Sequence, residues 1–94
     1  YFEPETKNYH KRHLEGGYEV TNLTGDITTK DAKVILHCHI TLSAKDLRVL
    51  GGHLISAEVS ATLEVFIFPI SGVIDRALDQ NVGLNLMQFQ DNAH

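Results

Sequence analysis

The sequence predicts a small, largely antiparallel β domain, and three observations carry that expectation. Along Glu58–Phe68 apolar and polar residues alternate: Val59, Ala61, Leu63, Val65 and Ile67 share one face, Glu58, Ser60, Thr62 and Glu64 the other. A second run, Val34–Leu42, is rich in β-formers, with Val34, Leu36, Cys38, Ile40 and Leu42 falling on one apolar side. Turn signals punctuate the chain at Gly25-Asp26, Lys30-Asp31-Ala32-Lys33 and Gly51-Gly52. Little helix is expected.

The elements come in order along the chain. Residues 1–17 are polar and carry Pro4, Gly16 and Gly17, so they read as an extended or looped lead-in. Tyr18–Thr24 is a strand stopped by Gly25-Asp26, and Ile27-Thr28-Thr29 a short continuation stopped by the charged turn 30–33. The long strand Val34–Leu42 comes next. Ser43–Arg48 suits a hairpin connection, after which Val49-Leu50 resumes pairing before the Gly51-Gly52 break. The alternating strand near Val59–Phe68 ends at Pro69, which cannot donate to a ladder. Asp75–Gln80 makes a helical turn or a loop, and Val82–Phe89 a last strand with apolar residues on both faces.

The strand reading decides the chemistry of Ile35-Leu36-His37-Cys38-His39-Ile40. Side chains at i and i+2 share a face, so His37 and His39 point the same way, about 6.6 Å apart at their backbones. Cys38 points oppositely, into the apolar set, and reads as a buried small hydrophobe rather than a ligand. His53, just after Gly51-Gly52, can bring a third imidazole. Three histidines with one open position make a metal site, with zinc as the expected ion. A lone His-x-His pair is more often structural; the third histidine tips the balance. His10 and His13 lie at helical spacing, but Gly16-Gly17 comes soon after and they carry little weight.

Ninety-four residues make one domain, spanning 1–94, and a chain this short buries a limited core, which favours assembly or metal binding. One cysteine precludes an internal disulfide, so a reducing cytoplasm is expected, and no apolar run is long enough for a membrane span. The net charge of −4 argues against tight nucleic-acid binding. The one basic cluster, Lys7, His10, Lys11, Arg12 and His13, is interleaved with Glu3, Glu5 and Glu15 and reads as a solvated loop. The chain starts at Tyr1 and its single methionine is Met87, so residue 1 is expected not to be the translated start.

Several blocks in order resemble the PPC domain (plants and prokaryotes conserved domain). Tyr18-Glu19-Val20-Thr21-Asn22-Leu23-Thr24-Gly25 is similar to the family's aromatic-Glu-Ile-Leu-Ser-Leu-x-Gly segment. His37-Cys38-His39-Ile40-Thr41-Leu42-Ser43 resembles its prokaryotic His-x-His strand, and Val49-Leu50-Gly51-Gly52-His53-Leu54 its Gly-Gly-His block. Thr62–Ile67 resembles the family's next strand, and Arg76 and Gly83-Leu84 are similar to its C-terminal pattern. The resemblance implies an α+β fold built on a largely antiparallel sheet, commonly a homotrimer. The family pattern begins upstream with a strand and a helix, so the chain reads as a single such domain, incomplete at its N-terminus. In prokaryotic members with all three histidines, the resemblance implies metal ligation at positions matching His37, His39 and His53. The family's DNA-binding label comes chiefly from AT-hooks in its plant members, and this chain has no Arg-Gly-Arg-Pro core.

Three functions compete at this point. The first is a metal-binding sensor, regulator or assembly module. The second is a small metal-dependent enzyme, since zinc with three imidazoles acidifies a bound water. Glu64 is its candidate acid or base, and equally an exposed carboxylate on a polar strand face. The third is DNA binding, which charge disfavours and which would call for a partner protein.

Overall fold

The computed structural model describes residues 1–89. Among these residues seven strands fall in three antiparallel sheets. A short hairpin pairs β1 (Phe2–Glu3) with β2 (Asn8–Tyr9). The central sheet runs in the order β3 (Glu19–Lys30), β4 (Lys33–Ser43), β5 (Val49–His53). A final hairpin joins β6 (Arg76–Asp79) to β7 (Leu84–Met87). Among the described residues no helix is long and apolar enough to cross a membrane.

The α+β expectation is overturned: the described residues hold no helix, and the domain is all-β. At Asp75–Gln80, where the sequence allows a helical turn or a loop, the chain forms β6 instead. The reason is a neighbour. Asp75 bridges Thr29 in parallel, and the Thr29 amide donates to the Ile74 carbonyl at 3.0 Å, which docks the final hairpin on the end of β3. Once edge pairing is on offer, four residues are too few for a helix to nucleate against it.

The β3–β4 hairpin is the frame of the molecule. Its turn has two central residues, Asp31 and Ala32, both at positive φ (51° and 62°), the geometry whose twist matches the flanking strands. Lys30 therefore pairs Lys33, and the ladder continues without a slip to Asn22 opposite Thr41. A bulge between Val20 and Asn22 then shifts the register. Gly25-Asp26 is not a turn: β3 runs straight through it. Gly25 is there for space, because a Cβ at that position would strike the His37 carbonyl oxygen and lie 2.7 Å from the Cys38 sulfur. Gly51-Gly52 likewise lies inside β5 rather than ending it.

The alternating segment near Val59–Phe68 forms no strand; nothing in residues 54–74 is assigned to one. A strand exists only as part of a ladder, and no neighbouring strand is in place here to accept its hydrogen bonds. The apolar face of β4 is only partly covered for a related reason. Cys38 is buried, as the alternation requires, while Val34 and Leu36 stay exposed. The core is thin: Cys38 and Thr28 are the described residues that count as buried, and no side chain among them is fully enclosed.

Candidate metal centre

Strand pairing assembles the three histidines. His37 and His39 project from the same face of β4, and the β4–β5 register sets His53 directly opposite His39. Their ring centroids lie 5.3 Å (His37–His39), 5.1 Å (His37–His53) and 5.5 Å (His39–His53) apart. One nitrogen from each ring falls within 4.8 Å of the others. His37 and His53 are half-buried, and His39 is exposed. Cys38 stands on the opposite face, and Glu64, His10 and His13 lie outside the group. His13 instead pairs with Glu15 at 2.6 Å in solvent.

The electrostatics favour ligation. Burial, then the proximity of His37 and His39, holds the His53 pKa below its ordinary value of 6.5. Its imidazole is therefore neutral at neutral pH, the state in which a ring nitrogen has a lone pair to give. The donor set, three imidazoles with no thiolate among them, fits zinc and equally nickel, copper or iron. A cleft of about 400 Å³ opens over the trio, walled by Tyr1, Phe2, Tyr9, Gly51, Gly52 and Leu84. The Tyr9 ring stands 5.7 Å from that of His53.

Behind His37 lies a polar cluster. Asp26 is its cross-strand partner, with Oδ2 3.6 Å from Nδ1. Arg76 reaches in from β6, and its side chain is 9% exposed. Its Nη2 donates to Asp26 Oδ1 at 2.8 Å, Nε to Thr28 Oγ1 at 2.8 Å, and Nη1 to the Asn85 carbonyl at 2.9 Å. The same Nη2 is 3.5 Å from His37 Nδ1.

Alternation along the sequence picks out His37 and His39, and the Gly51-Gly52 context His53, but neither signal reaches Asp26 or Arg76. A signal for Asp26 exists: a two-residue turn at 31–32 pairs residues whose numbers sum to a constant, and 26 falls opposite 37. Reading Gly25-Asp26 as a turn breaks that count. Arg76 is marked only by its likeness to the family's C-terminal pattern, which gives it no link to the histidines, and it arrives from another sheet.

A family model for the Plants and Prokaryotes Conserved (PCC) domain, the family abbreviated PPC above, matches residues 1–71. No curated protein matches the chain. Three crystal structures are similar to it. The metal-containing protein of Archaeoglobus fulgidus is 37% identical, with a TM-score of 0.78 over 95% of this chain and 63% of that one. A candidate DNA-binding protein from Bacteroides thetaiotaomicron is 32% identical, with a TM-score of 0.77 over 95% of this chain and 62% of its own. A second protein so described, from Ralstonia eutropha JMP134, is 23% identical with a TM-score of 0.77 over 96% and 62%, and its likeness is one of fold. The chain thus spans less than two thirds of the length of each. With three quarters of its residues under one family model, and the fold shared with solved structures 32% and 37% identical to it, the chain belongs to the PCC domain family.

Proposed function

We propose that this PCC domain binds one transition-metal ion per chain through His37, His39 and His53, and that the ion is zinc. The observation that carries the reading is the convergence of three ring nitrogens within 4.8 Å on a frame of hydrogen-bonded strands. Ligation at zinc–nitrogen distances of about 2.0–2.1 Å needs the three ring nitrogens to close in further. The likeness to the metal-containing protein of Archaeoglobus fulgidus supports it.

The role we assign is that of a regulatory or assembly module working as a homotrimer in the cytoplasm. The single cysteine and the large apolar area left uncovered support this reading. Direct, tight DNA binding by the domain alone is not part of the proposal, although two similar proteins carry that description; a partner protein would make such contacts. One observation favours a second reading, a small metal-dependent enzyme. A cleft adjoins the three imidazoles, and an ion held by them would polarise a water there with room for a small substrate.

Elemental analysis of the purified protein tests the site. One equivalent of metal per chain is expected, and His37→Ala with His39→Ala should reduce it to background. Full metal content in that double variant would sink the proposal. Hydrolytic turnover that a chelator abolishes would favour the enzyme.

A further inference from the structure

We propose that Asp26, clamped by Arg76, sets the tautomer of His37 and so decides which of its nitrogens can bind metal. The inference rests on the metal reading above and adds to it two residues that are not ligands.

The argument is one of donors and acceptors. A neutral imidazole carries a single proton, and its other nitrogen is the ligand. Nδ1 of His37 faces two groups of opposite character: Asp26 Oδ2 at 3.6 Å, which can only accept, and Arg76 Nη2 at 3.5 Å, which can only donate. If Nδ1 holds the proton and points it at Asp26, the Nε2 lone pair is free for an ion. If Nδ1 accepts from Arg76, the proton sits on Nε2 and that nitrogen cannot ligate. The guanidinium is already committed elsewhere, to Asp26 Oδ1, Thr28 Oγ1 and the Asn85 carbonyl, all within 2.9 Å. The two approaches to Nδ1, 3.6 and 3.5 Å, differ by only 0.1 Å, so distance does not choose between them. Partnering does: among the described residues Asp26 Oδ2 has no other hydrogen bond, whereas every guanidinium nitrogen already donates in one. We therefore assign the proton to the side facing Asp26, with Arg76 fixing the carboxylate. Because Arg76 comes from β6 and Asn85 lies on β7, the docking of the final hairpin on β3 is itself part of the metal site.

The experiment has two readouts. In metal-free protein at about pH 8, where histidines are neutral, ¹⁵N spectra of the imidazole rings report each tautomer. Wild-type His37 is expected as Nδ1–H, and a wild-type His37 found as Nε2–H would overturn the proposal without any variant. In Asp26→Ala the Arg76 guanidinium is left as the sole partner, and His37 should turn to Nε2–H. Zinc affinity, measured by competition with a chelator, should then fall about 10- to 100-fold. Asp26→Asn keeps the shape with a weaker acceptor and should fall between. Combining Asp26→Ala with Arg76→Gln removes both partners and should return His37 to a mixture. Unchanged affinity and tautomer in folded Asp26→Asn and Asp26→Ala would overturn the proposal. Wild-type protein that takes up no zinc would instead overturn the metal reading, while the tautomer spectrum still decides the role of Asp26.

Discussion

His53 is the residue whose chemistry depends most on its neighbours. It gains nothing from protonation, because burial and two adjacent imidazoles all oppose a positive charge there. With its folded pKa held below 6.5, the unfolded chain binds more protons in the window below that value. Stability of the metal-free protein should therefore be complete above pH 6.5 and fall as the pH drops from there through the lower folded value. Thermal unfolding between about pH 7.5 and pH 5 checks this. In His53→Gln the slope should be shallower, and an identical slope would show that His53 is not the group responsible. His37 and His39 are legible as a same-face pair because alternation is local: two residues two apart share a face whatever the rest of the fold does, while His53 comes opposite His39 through β4–β5 pairing. The carboxylate behind them is hidden by an ambiguous glycine. Gly25 announces a turn by composition, whereas its actual constraint is the His37 carbonyl and Cys38 pressed against it.

Among the elements, the β3–β4 hairpin is the most legible. The charged turn and the apolar run after it are enough to place both strands, and only the continuity through Gly25-Asp26 is lost. The turn is imperfect in one respect: Ala32 sits at φ 62°, a left-handed conformation costing a residue with a Cβ about 1–2 kcal/mol. Ala32→Gly should remove that strain against a smaller gain in unfolded-chain entropy. A net stabilisation of about 0.5–1 kcal/mol is expected, read as a higher urea midpoint with an unchanged slope. The segment near Val59–Phe68 teaches the opposite lesson. Its period-two pattern is real, with Val59, Val65 and Ile67 on one side, yet the pattern specifies only that a strand would have two different faces. Whether a strand forms depends on hydrogen-bond partners that no local pattern can supply. The same limit explains β6, which forms because Thr29 offers an edge 46 residues away in sequence.

At the largest scale, the chain spans less than two thirds of the length of the similar solved structures, and over that extent it is open. Its radius of gyration is 16.1 Å, where a compact domain of this length has about 12 Å. Its accessible surface is 8480 Å², where a folded monomer of this mass exposes about 5,400 Å². Phe66, Phe68 and Phe89 are more than 70% exposed. Apolar surface on that scale is available to be covered by another surface, and the proposed assembly would use it. A homotrimer is the expected state, and light scattering that returns a monomer at micromolar concentration would contradict it. The same molecule is a poor match for DNA. Phosphate contacts work by releasing counterions, which takes an excess of positive charge. This chain carries −4, and trimer formation would multiply the deficit. Lys7, Lys11 and Arg12 are exposed, but one of their neighbours, Glu15, is already paired with His13, and Lys7 reaches the Gln80 carbonyl at 3.2 Å. Binding to duplex DNA at about 150 mM salt should therefore be weak, indifferent to sequence and steeply salt-dependent. Replacing Lys7, Lys11 and Arg12 together should remove what remains. Fluorescence anisotropy with labelled duplexes decides the matter: nanomolar, sequence-selective binding at that salt would mean that groove contacts outweigh the charge and that the protein reads DNA itself.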